Sequence, residues 1–351
     1  MASLRAVEKG WARMSCGRRH RSCLAPGGSP ATHAAETATD DWRRLDARNA
    51  SPTAGKDRPA KAGRSPLRAV RVVGVDFTSA PSRRKPITAA HGRLDGDHVV
   101  VERIDALQDW AAFEALLASP GPWVGAFDFP FGLPRELVDV LGWPGARSRS
   151  QRAWRETIAR YAKLDRAAVE ERFARFRARR PAGSKYARRA TEAAAGAHPS
   201  MKLVNPPVGW MLHEGVPRLI AAGVHVPGLS RGDPSRVALE AYPGLVMRAI
   251  ALSRGESGAP SYKSDSRSRQ TPARRDARVG LLWALVEGAH AFALRVDLPM
   301  RLAEAAIDDA SGDTLDAIAC AMLAGWGAQR AARNYGLPAK IDPVEGWIVG
   351  A

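Results

Sequence analysis

The sequence predicts an α/β protein: a mixed sheet of five strands flanked by helices, with a basic helical insertion between the fourth and fifth strands at about residues 145–230. Three observations lead there. Val70 to Asp76 is a short, nearly continuous apolar run of the kind a buried central strand shows. Two further strand patterns, an amphipathic helix and a fourth strand follow it in order. Then a long Arg-rich stretch carries apolar residues at helical spacing.

The elements follow one another along the chain. Pro86 to Leu94 and His98 to Ile104 read as strands two and three, with Gly92 to Gly96 as the hairpin turn between them. Leu107, Trp110, Phe113, Leu116 and Leu117 mark one face of a helix. Trp123 to Phe129 is the fourth strand, stopped by Pro130. From Arg149 to Arg180, the residues Trp154, Ile158, Tyr161, Leu164, Val169, Phe173 and Phe176 predict one long helix with arginines on its other faces. Pro206 to Ala222 is a helix, and Val237 to Tyr242 is the fifth strand. The remainder is helical at Leu245–Leu252, Thr271–Leu294, Pro299–Ile307 and Thr314–Trp326, with a short strand at Trp347–Val349. A three-strand meander, then a helix crossing over to a parallel fourth strand, is the ribonuclease-H-like order.

Composition narrows the class. The hydrophobic content of 45% supports a substantial core. No apolar run approaches the ~20 residues that span a bilayer, and the N-terminus lacks an apolar signal core, so a soluble cytoplasmic protein is expected. Cys16, Cys23 and Cys320 are too few, and odd in number, for a disulfide framework. Cys16, His20 and Cys23 lack a fourth zinc ligand at suitable spacing.

The net charge of +17 is concentrated in two segments. Residues 1–69 carry 14 Lys/Arg against 6 Asp/Glu, and residues 146–200 carry 15 against 5. The first is rich in Ala, Arg, Ser, Gly and Pro without apolar period and is predicted to be a disordered basic extension. The second predicts a nucleic-acid-binding face, with Arg172, Arg175, Arg179 and Arg180 as its contacts. A bias toward Arg and Ala across the whole proteome is the competing explanation of both.

Acidic residues are the candidates for chemistry. Asp76 ends the first strand and Asp128 the fourth, each in an otherwise apolar run, where an unpartnered carboxylate is costly. Glu240 is a third acid inside a strand pattern. Asp313 and Asp316 share one helix face at i, i+3, though Asp313 also suits a helix first turn. Together they predict a site for Mg²⁺ or Mn²⁺, with Asp76, Asp128, Asp313 and Asp316 as ligands and Glu240 as a ligand or an outer partner. Lys263, in a polar loop beyond the fifth strand, is placed to meet a phosphate or to remain a solvated lysine.

Five motifs carry a resemblance: Val73-Gly-Val-Asp-Phe-Thr-Ser79, Phe127-Asp-Phe-Pro-Phe-Gly-Leu-Pro134, Leu239-Glu-Ala-Tyr-Pro243, Tyr262-Lys263, and Gly312-Asp-Thr-Leu-Asp-Ala317. In these, residues 70 to 351 resemble the domain of unknown function 429 family, a predicted ribonuclease-H-like nuclease family. The strand Gly-x-Asp and the helical Asp-x-x-Asp-Ala are also similar to the Holliday-junction resolvase branch. The resemblance implies a metal-dependent nuclease working through paired divalent ions. Two other functions compete with it. One is a non-catalytic nucleic-acid-binding protein. The other is a phosphotransferase of the actin-like fold, suggested by Asp76-Phe-Thr78 but lacking a second half and a Gly-rich adenosine site.

Overall fold

A computed structural model describes residues 70–148, 150 and 152–351. The expectations for residues 1–69 lie outside the described residues.

Seven strands form one sheet in the order β5-β6-β4-β1-β2-β3-β7. In the middle, β1 (Val70–Asp76) runs antiparallel to β2 (Ile87–Asp95) and parallel to β4 (Trp123–Asp128). Outside them, β3 (His98–Leu107) is antiparallel to β2, and β6 (Asp233–Glu240) is parallel to β4. These are the five strands expected. The edge strands β5 (Val224–His225) and β7 (Arg295–Asp297) enlarge the sheet to seven. They are two and three residues long, too short for a period of two to register in the sequence. The expected final strand is a single bridge, Ile348 to Glu240.

Ten α-helices accompany the sheet among the described residues: α1 (Trp110–Ala118), α2 (Arg135–Val140), α3 (Arg152–Ala162), α4 (Arg166–Ala178), α5 (Ala190–Ala195), α6 (Val208–Ala221), α7 (Pro243–Ser253), α8 (Pro272–Glu287), α9 (Met300–Asp308) and α10 (Asp313–Gln329). The single long helix expected over Arg149–Arg180 is two. The step from Leu164 to Val169 is five residues, off the helical period, and the Asp165 carboxylate accepts from the Ala168 N–H at 2.8 Å to start α4. The hairpin turn is Gly96-Asp97, not Gly92. Gly92 lies inside β2 at a bulge, where a Cβ would sit 2.1 Å from the Val100 carbonyl oxygen.

The sheet has two differently packed faces. Val73, Val75, Trp123, Phe127 and Ala238 point toward α1 and the insertion, in a core that runs on through Trp154, Tyr161, Phe173 and Trp210. The insertion therefore shares the core of the sheet and returns one strand, β5, to its edge. The other face holds Val72, Gly74 and Asp76 of β1 against α10. A Cβ on Gly74 would lie 2.0 Å from the Ala321 nitrogen and 2.1 Å from the Ala317 carbonyl oxygen. Helix and strand backbones touch here, which only a glycine under a run of alanines permits. That contact presses the start of α10, with Asp313 and Asp316, toward the end of β1.

Candidate active site

Asp76 and Asp128 are register partners at the carboxyl ends of β1 and β4. Adjacent strands are about 4.8 Å apart, so two carboxylates leave the sheet side by side on the α10 face. The chain passes from β1 to β2 and β3 on one side, then returns to β4 on the other, which is where α/β sheets open a crevice. Neither carboxylate makes a hydrogen bond or ion pair among the described residues. Burial, then repulsion from Asp313, Asp316 and Asp128, raises the Asp76 pKa well above the carboxylate range. Burial likewise lifts Asp128 to about 7, with Lys263 opposing and Asp316, Glu240 and Asp313 adding to the rise.

The other two expected ligands are already satisfied. Asp316 is fully buried; it accepts from the Tyr262 hydroxyl at 2.6 Å and from the Lys263 ammonium. Asp313 receives Lys85 on both oxygens, at 2.9 and 2.8 Å. Lys85 also reaches Asp265 at 3.1 Å. Gly312 makes this packing possible: its φ is +80°, and a Cβ there would lie 2.7 Å from the Cβ of Lys263. Buried Arg278 fixes the same loop by donating to the Tyr262 carbonyl at 2.7 Å.

Glu240 is in a different place. Its register partner is Phe127, so by strand alternation it leaves the sheet on the face opposite to Asp76 and Asp128. There Arg189 donates to both its oxygens, at 2.9 and 2.5 Å, and the Phe131 N–H donates at 3.0 Å. Arg189 also binds Glu192 at 2.7 Å and the Glu345 carbonyl at 2.6 Å. Burial raises the Glu240 pKa and Arg189 works against the rise. All of its acceptors are engaged by protein donors, so Glu240 is a structural acid.

These residues meet at a cleft of about 590 Å³. Its lining joins Asp76, Asp128, Lys85, Lys263 and Asp313, with Thr78 and Ser79, to Pro206, Pro207, Val208 and Met211 from the insertion. Five carboxylates line it against three permanent cations, Lys85, Lys263 and Arg189. His198, also in the lining, has its pKa lowered by burial and by Lys202 and Arg188, so it adds little charge at neutral pH. With every acid ionised the lining would be two positive charges short, and the raised pKa values of Asp76 and Asp128 show the protein relieving that deficit by protonation.

No group of three or more His, Cys, Asp or Glu converges to hold a metal ion among the described residues. The reason is visible: two of the four expected ligands hold lysines. The donor set nevertheless suits a divalent ion. Asp76 and Asp128 are hard-oxygen ligands without hydrogen-bond partners, and Lys85 and Lys263, the cations on Asp313 and Asp316, are partly exposed at 41% and 44%.

The nucleic-acid face expected on α4 does not reach the cleft. Arg180 pairs with Glu136, Arg175 with Glu171 at 2.6 Å, and Arg172 with the Ala168 carbonyl at 3.0 Å; Arg179 is exposed beyond the helix end. None of the four lines the cleft. The residues that sequence reasoning missed are Lys85 and Arg189, and Tyr262 was singled out only as part of a motif, without its role as donor to Asp316. Lys85 sits in the polar loop Ser82-Arg-Arg-Lys85 directly after β1, and a basic loop downstream of a strand-end acid was the available signal.

The sequence profile of a family described as protein of unknown function (DUF429) matches residues 74–340. No curated protein and no solved structure matches the chain. No helix among the described residues is long and apolar enough to cross a membrane.

Proposed function

We propose that this chain, which belongs to the DUF429 family, is a divalent-metal-dependent nuclease that hydrolyses phosphodiester bonds. The observation that carries the reading is the Asp76–Asp128 pair: two carboxyls side by side, without hydrogen-bond partners, in a cleft where acids outnumber permanent cations by five to three. The central strand order β3-β2-β1-β4-β6, with β2 alone reversed, supports a ribonuclease-H-like core, and from that core to a nuclease the step is one of analogy.

A bound Mg²⁺ or Mn²⁺ supplies charge neutralisation and an acidified water. Asp76 and Asp128 would hold it, with Asp313 and Asp316 as the further carboxylates within reach. Lys263 and Lys85 line the same cleft, where their ammoniums would donate to phosphoryl oxygens and stabilise developing charge. Tyr262 keeps Asp316 oriented through its remaining oxygen. Glu240 takes no part in this chemistry.

A cleavage panel tests the reading: single- and double-stranded DNA and RNA with Mg²⁺, Mn²⁺ or chelator. The expected result is metal-dependent cleavage that falls by about 100-fold or more in Asp76→Asn with the fold retained. The two lysine pairs favour a second reading, a nucleic-acid-binding protein in which the acids are neutralised permanently. Binding without cleavage under every metal condition selects that one.

A further inference from the structure

The cleft is chemically divided. We propose that its apolar half is a seat for one unpaired base, so that the substrate is single-stranded nucleic acid and not an intact duplex. The proposal rests on the nuclease reading and names its substrate class.

Three features lead there. The apolar wall is built by the insertion: Pro206 and Pro207 precede α6, and Val208 and Met211 lie in its first turns. Met211 and Val208 are partly exposed toward the cleft even though the helix buries Trp210 and Leu212 behind them. This apolar surface and the charged group of Asp76, Asp128 and Lys263 line one space of about 590 Å³. That volume lies within the range of small-ligand pockets, roughly 300–1,000 Å³, and suits one nucleotide. A duplex keeps its bases stacked and paired, and cannot place one there without extruding it.

The seat's chemistry also sets its selectivity. Proline has no N–H, and valine and methionine side chains have no hydrogen-bond donors, so these side chains offer contact to a base face and no donor to a base edge. Such seats accept every base, because each has an apolar face. The phosphate on the same nucleotide would meet Lys85 and Lys263, which line the same cleft as the carboxylate pair.

The test measures binding by fluorescence anisotropy in Ca²⁺ at low salt, with fluorescein-labelled oligonucleotides of equal length. The probes are a single DNA strand, the matching RNA strand, a blunt DNA duplex, and an abasic strand of the same charge. Both single strands are expected to bind about tenfold more tightly than the abasic strand, the order of one stacked base. They should exceed the duplex similarly. Met211→Glu should abolish the advantage over the abasic strand, and Met211→Leu should keep it. Equal binding of abasic and normal strands, equal binding of the duplex, an unchanged advantage in Met211→Glu, or no binding of any probe overturns the proposal. The abasic comparison uses the wild type, so a misfolded variant leaves the decision intact. Cleavage of duplex with no single-strand preference removes the seat but leaves the nuclease reading. Base-dependent binding with no cleavage in Mg²⁺ or Mn²⁺ does the reverse.

Discussion

Asp76 and Glu240 are both acids buried in strands of the same sheet, and they meet burial in opposite ways. Glu240, 3% exposed, is bound by Arg189 and a backbone N–H, and Arg189 in turn by Glu192. Asp76, 9% exposed, faces Asp128 with no donor of its own. Burial alone therefore does not distinguish a structural acid from a functional one; the presence of a partner does. Two carboxylates at strand spacing repel by up to a few kcal/mol at surface-like dielectric, and Lys263 opposes that repulsion only from a distance, hydrogen-bonding to neither acid. Such an arrangement persists where something from outside the chain is to be bound.

The largest effect that separates the two acids is on stability. Glu240→Gln removes one partner of a buried ion pair and leaves the Arg189 charge without its main counterpart. Urea denaturation should show a loss of about 3–5 kcal/mol. A loss below about 1 kcal/mol would mean that Glu192 alone suffices for Arg189, and the contrast between the acids would weaken.

The next effect has the opposite sign. The folded-state pKa of Asp128, about 7, lies above its ordinary value of 3.8. Its contribution to stability is thus fully present below about pH 4 and is lost as pH rises through 7. Metal-free protein should be less stable at pH 8 than at pH 5, and Asp128→Asn should flatten that slope while raising stability at pH 8. A slope unchanged by the substitution would show that Asp128 finds a partner in solution.

How much of this was legible in the sequence follows the same division. The five central strands and the acids at their ends could be read because apolar runs and isolated charges are local signals. Faces could be assigned only with the register, which placed Glu240 opposite Asp76 and so removed it from the ligand set. Partners at long range were also invisible: Lys85 meets Asp313 across 228 residues, and Arg189 meets Glu240 across 51. The position of the basic stretch was hidden for a related reason. Arginine spacing on α4 indicates a solvated face but not where that face lies, and it lies away from the cleft.

The smallest expected effect follows from that placement. Reversing Arg172, Arg175, Arg179 and Arg180 to Glu should leave metal-dependent stability unchanged and shift unfolding by no more than about 0.5 kcal/mol per site. Oligonucleotide affinity should fall only through general electrostatics, measurable as a shallower salt dependence. Loss of cleavage with binding retained would show that α4 contacts the substrate after all.

On the proposed reading Asp76 and Asp128, which have no hydrogen-bond partners of their own, together hold a divalent cation. Thermal unfolding of wild type, Asp76→Asn and Asp128→Asn, each with Mg²⁺, Mn²⁺ or Na⁺ at equal ionic strength, tests it most directly. A ligand at 100 times its Kd adds about 2.7 kcal/mol. The wild type should therefore melt several degrees higher in the divalent ions and not in Na⁺. Both variants should start from a higher melting temperature without metal and gain little from it. A wild type indifferent to divalent ions, with both variants melting lower than it does, would contradict the claim and withdraw the metal site.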